Sequence, residues 1–136
     1  MCAAALALLI ATGGCLANPQ RDQTRDLLDQ LSQVRETLSQ QPPPLEACST
    51  VGDVETRLYG EPGLVGIQPA WSDLADAAHA LQAVCGQSTL LAQSTLDSVA
   101  VSSAQQRWRQ GIQRELGVAC DHLRAAAAAL DRQTPC

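Results

Sequence analysis

The chain contains no phenylalanine and no lysine, and only one tyrosine and two tryptophans. Each scarcity closes off some chemistry. Without lysine there is no Schiff-base amine and no phosphate-loop cation, and all nine basic residues are arginine. With Tyr59, Trp71 and Trp108 as the whole aromatic complement, surfaces for stacking nucleic-acid bases or sugar rings are nearly absent. A net charge of −5 works against a phosphate-backbone partner, which depends on clustered cations, so nucleic acid is not expected. Catalytic signatures are missing too: there is no GxSxG, HExxH, glycine-rich phosphate loop or paired-histidine spacing. Asp121 and His122 are adjacent and would point about 100° apart on a helix, so they form no oriented dyad by themselves. Asp76 and His79, three apart, suit an ordinary solvated helix face. No catalytic residue, no metal site, no cofactor and no enzyme activity are expected.

Long apolar runs are also lacking. Ala3 to Ala11 has the length of a signal-peptide core and is too short to span a bilayer. It leads into Thr12-Gly13-Gly14-Cys15, small residues before a cysteine, which resembles the lipobox of bacterial lipoproteins, with Thr12 where that family prefers leucine. The resemblance implies that Cys15 is lipidated, becomes the mature N-terminus and ties the protein to a membrane of the cell envelope. Two other readings stay open. Cys15-Leu16-Ala17 is a small-x-small pattern whose cleavage would release a secreted protein, and the run could instead be a short buried helix.

What is present is enough for one domain: 136 residues, 46% of them hydrophobic, with alanine and leucine as the core material. Six cysteines include Cys2 and Cys15 in the leader. The other four, Cys48, Cys85, Cys120 and Cys136, are an even number, widely spaced and without a CxxC pair. That distribution suits two structural disulfides in an oxidising compartment and not a zinc site, whose cysteines come in close pairs.

Helical periodicity dominates the remainder. From Asp22 to Gln40, Leu27, Leu31, Val34 and Leu38 keep a 4-3-4 spacing, a narrow apolar seam that either docks on the following domain or presents itself to a partner helix. Pro42-Pro43-Pro44 ends this helix and forms a stiff spacer. Cys48 to Tyr59 reads as a short helix on Val51, Val54 and Leu58, with Ser49 able to cap it. Leu64, Val65 and Ile67 read as an apolar loop tucked under the bundle. Trp71, Leu74, Ala78, Leu81 and Cys85 form the next stripe, with Gly86 as its stop. Residues 88–100 suggest a separate helix of about three turns. Ser103 to Arg132 is the longest reading, with Trp108, Ile112, Leu116, Ala119, Leu123, Ala126 and Leu130 on one face and Cys120 beside it.

The expected architecture is therefore all-α. It is a small antiparallel helical bundle stapled by two disulfides (48–136), behind a leader (1–17), an amphipathic helix (18–41) and a proline-rich spacer (42–47). If the helices alternate and Gly86 breaks the chain, Cys120 returns to the height of Cys85. A folded-back tail then brings Cys136 to Cys48. This packing favours Cys85–Cys120 with Cys48–Cys136, although four cysteines admit three connectivities. Trp71 and Trp108 are candidate anchors for a protein partner, or rim-of-core residues with a wet indole nitrogen. Gly111, Gly117 and the Ala125–Ala129 run permit close helix approach. The function these features suggest is a non-catalytic envelope interaction factor. Its alternatives are a secreted binder of a small apolar ligand, held between small-residue helix faces, and an enzyme with a dispersed site.

Overall fold

The computed structural model describes residues 19–60, 68–96, 102–133 and 136. The leader with Cys15, the apolar loop around Leu64, Val65 and Ile67, and residues 97–101 lie outside them. The described residues form four helices and no strand: α1 (Pro19–Leu38), α2 (Ala47–Gly60), α3 (Gln68–Leu96) and α4 (Ser102–Ala129). This is the all-α, disulfide-stapled bundle that periodicity and cysteine count predict.

Pro19 opens α1, where its missing N–H costs nothing, and Asp22 in the first turn meets the positive end of the helix dipole. The seam faces inward. Leu27, Leu31, Val34 and Leu38 are between 0% and 6% exposed and belong to the same core cluster as the other three helices. They hold this chain together and offer nothing to a partner while the bundle is folded. At the far end, the Ser39 amide bonds back to the Arg35 and Glu36 carbonyls and the prolines prevent continuation. The Ala47 and Cys48 amides bond to the Pro44 and Leu45 carbonyls as α2 starts. Ser49 does not cap it; its hydroxyl donates to the Glu46 carbonyl at 2.9 Å.

Neighbouring helices alternate in direction, as their cross-links show. Arg57 of α2 pairs with Asp26 of α1 at 3.6 Å. Gln82 of α3 donates to Glu55 of α2 at 3.1 Å, and Trp71 Nε1 donates to the Leu58 carbonyl at 2.9 Å. Gln105 of α4 donates to Ser94 of α3 at 3.1 Å. Between α4 and α1, Arg21 meets Asp131 at 2.7 Å, and Arg35 Nε donates to the Leu116 carbonyl at 2.9 Å. The result is an up-down-up-down bundle.

The helices are unequal. At about 1.5 Å per residue, α3 (29 residues) is roughly 43 Å long and α2 (14 residues) roughly 21 Å. Residues 86–96 of α3 and 102–112 of α4 consequently run on past α1 and α2 as a two-helix extension, here the distal pair.

Gly86 does not stop α3. It is exposed, and a single glycine costs about 1 kcal/mol against alanine in a helix, too little to end one whose face continues to pack. The uninterrupted α3 overturns the expected disulfides. Gln105 meets Ser94 and His122 meets Asp73, so Cys120 lies beside the stretch around Ala77. That is about two turns, roughly 10 Å, from Cys85, beyond the reach of a bridge. Cys85 is joined instead to Cys48, which the antiparallel α2–α3 pair brings within a Cα–Cα distance of 5.9 Å. Cys120 is joined to Cys136, 6.0 Å away. The tail does fold back, but onto its own helix. Asp131 takes a left-handed conformation (φ 54°), the Asp131 amide bonds to the Ala128 carbonyl, and the Arg132 amide bonds to the Ala127 carbonyl. This double bond pattern closes α4 and reverses the chain. Arg124 then holds the Cys136 main-chain oxygen at 2.8 Å.

The glycines expected to allow close approach divide. Gly111 is buried, and a Cβ there would run into the Gln87 side chain of α3. Gly117 is exposed, with open space where its Cβ would be.

Candidate functional site

The apolar stripe of α3 runs through Leu74, Ala78, Leu81 and Cys85, and the next position in step is Ser88. Because α3 is continuous, this serine occupies a core position and is only 3% exposed. Its hydroxyl oxygen is buried and has no hydrogen-bond partner among the described residues. A helical serine or threonine ordinarily bonds back to the preceding turn. Its neighbours do so: Thr89 donates to the Cys85 carbonyl at 2.9 Å, and Ser94 to the Leu91 carbonyl at 2.7 Å. An unsatisfied buried hydroxyl costs on the order of 1–3 kcal/mol, so a free Ser88 Oγ is an exception that asks for a reason.

Ser88 lines a hollow of about 400 Å³, within the range of small-molecule sites. Leu91 and Ala92 continue its α3 wall, Arg109 comes from α4, and Gln41, Pro42 and Pro43 close the side where the chain passes from α1 to α2. Here the base of the distal pair meets the proline spacer. The spacer thus forms one wall of the hollow. A second hollow of about 370 Å³ lies on the other flank of the spacer, between Gln30, Gln33, Val34 and Thr37 of α1 and Pro44, Glu46, Ala47 and Thr50. None of its lining side chains presents a buried polar atom without a partner.

One cluster of titratable groups forms far from both hollows. His122 Nδ1 lies 3.0 Å from Asp73 Oδ1 and 3.9 Å from Asp76 Oδ2, with the three ligand-type atoms within 4.8 Å of one another. A carboxylate only accepts, so Nδ1 is the donor, and the contact ties α4 to α3. Two carboxylates and an imidazole are donors of the kind that bind a divalent cation. Here they are engaged with each other, and the arrangement works as an interhelical clamp. The sequence neighbours separate: Asp121 pairs with Arg124 at 3.6 Å and His79 is exposed.

Trp71 and Trp108 are both half-buried and packed against the core. Trp71 is committed further, through its bond to the Leu58 carbonyl and an edge-on contact with Tyr59 at 6.2 Å between centroids. Cys48, Cys85, Cys120 and Cys136 are all in disulfides, the cysteine usage of an oxidising, extracytoplasmic compartment. No described helix is long and apolar enough to cross a membrane.

Sequence reasoning missed Ser88 and Arg109. The signal was there in the stripe: read through Gly86, Ser88 falls three residues beyond Cys85 and seven beyond Leu81, a polar side chain in an apolar register. Comparison with protein-family models, curated proteins and solved structures finds no match to this chain. Fold and site together define a disulfide-stapled four-helix bundle with a small hollow where the short helices end.

Proposed function

We propose that this chain is an exported, lipid-anchored protein of the bacterial cell envelope that acts by binding another envelope component and not by catalysis. One observation carries the reading. The four cysteines beyond the leader pair among themselves as structural disulfides do in an extracytoplasmic compartment, and the leader ahead of them carries Thr12-Gly13-Gly14-Cys15, which resembles a lipobox. The braced bundle would then stand on a short tether, since only Leu16, Ala17 and Asn18 separate Cys15 from α1. Intact mass of the mature protein tests the anchor. A diacylglyceryl-modified N-terminal Cys15 supports it, and a chain starting at Asn18 overturns it in favour of secretion. Crosslinking in the native envelope tests the role, and failure to recover any partner at native abundance removes the adaptor reading. A second reading, a binder of a small, largely apolar ligand, is favoured by the hollow beside Ser88. It is compatible with either anchored or secreted protein.

A further inference from the structure

The charge around the hollow departs from that of the chain. The protein carries a net charge of −5, yet the distal pair, residues 86–96 and 102–112, contains Arg107 and Arg109 and no carboxylate; the flanking charges in sequence are Asp97, outside the described residues, and Arg114 with Glu115. Arg114 is paired with Glu115 at 3.3 Å. Arg107 and Arg109 make no ion pair with any described residue, and Arg109 lines the hollow. An exposed arginine needs no partner, but at the rim of a concave apolar site it selects the sign of what enters. Leu91, Ala92, Pro42 and Pro43 supply the apolar walls, and the buried Ser88 hydroxyl supplies a hydrogen bond without a taker.

We infer that this hollow binds a small amphiphile with an anionic head, the apolar body against Leu91 and the prolines, and the head on Arg109. The inference rests on the small-ligand reading and adds the charge of the ligand. Ser88 Oγ is the polar contact deeper in the site. It gains a partner when a ligand oxygen comes within reach, which satisfies a group that no described residue pairs.

The test is an NMR titration of the disulfide-intact, amide-labelled protein with three probes of equal chain length: octanoate, 1-octanol and octylammonium. Octanoate should give saturable shifts concentrated at Ser88, Leu91, Ala92 and Arg109. Octanol should bind about tenfold more weakly and octylammonium not measurably, because one charge-assisted contact is gained in the first case and a like charge opposed in the last. Arg109→Gln should reduce octanoate to the level of octanol and leave octanol unchanged. The residue is exposed, so the variant keeps its fold. Ser88→Ala should weaken both probes without lowering the melting temperature, since it removes an unsatisfied hydroxyl. If octanol binds as tightly as octanoate at these residues, the anionic head is wrong and the small-ligand reading survives. If no probe gives saturable shifts there, or the shifts are spread over the surface, both are wrong.

Discussion

In the basal half, Leu74, Leu81 and Leu123 of the long helices, with Leu130 just past α4, share a core with Leu27, Leu31 and Leu58 of the short ones, whereas the distal pair has only two helices and the proline spacer. Both disulfides and the His122–Asp73 clamp lie in the basal half or at its upper edge. The distal segments read GQSTLLAQSTL and SSAQQRWRQGI, with few residues able to build a core. One half is braced and the other is lightly held. Ligand-contacting and moving parts are drawn from the low-stability end of a fold, and here that end carries the hollow, with a Ser88 hydroxyl and two arginines that find no partner among the described residues.

The comparison can be broken most directly through the core. Leu123→Ala, at a fully buried basal position, should cost about 2–5 kcal/mol in urea unfolding, while Leu91→Ala, 8% exposed in the distal pair, should cost about 1–2. Equal costs would erase the distinction between the halves. Next come the disulfides. Non-reducing peptide mapping should recover Cys48 with Cys85 and Cys120 with Cys136. Replacing the first pair by alanine, which closes a 37-residue separation, should cost about 4 kcal/mol, and replacing the second, across 16 residues, about 3. The first loss should also loosen the lip of the hollow, because Cys48 anchors α2 just past the prolines. His122→Ala should cost about 1 kcal/mol, the worth of one interhelical hydrogen bond, and a near-zero change would demote the clamp to a surface contact. The smallest effect is at the turn that closes α4. Asp131→Gly relieves a left-handed backbone worth about 1 kcal/mol and gives up an exposed pair with Arg21 worth about 0–1. The variant should therefore be as stable as the parent or slightly more so. A loss above about 1 kcal/mol would mean that the Arg21 pair contributes more than exposed pairs usually do.

Three of the four helices were legible because each carries an uninterrupted apolar stripe; the prolines mark the end of α1, whereas the last helix, read as far as Arg132, stops at Ala129, where Asp131 turns left-handed. The break at Gly86 was wrong for a physical reason. Glycine followed by Gln87, Ser88 and Thr89 has the composition of a helix stop, and only packing against α4 decides that the helix continues. That one misplaced end shifted every height beyond it and so exchanged the disulfide partners. It also concealed the site, because Ser88 has no significance in a linker and becomes anomalous only as the next member of a buried stripe. Cys48 opens a helix antiparallel to the stripe that ends at Cys85, so the two cysteines stand at the same end, and that is the bridge that forms. Arg109 could not have been singled out beforehand. Its importance comes from what faces it across the hollow, and α4 alone does not show that.

The scarcity of aromatics gives the molecule a built-in optical readout. Trp71 sits three residues into α3 at the base, and Trp108 lies at the level of Leu90 in the distal pair, roughly 30 Å further along the axis. With no phenylalanine and one tyrosine to complicate the spectrum, each indole reports one half, so two single-tryptophan variants can be followed through the same melt. Coincident transitions would mean that the lightly held pair unfolds only with the braced half. An earlier transition at Trp108 would show the ligand-bearing end opening while Trp71 still reports an intact base.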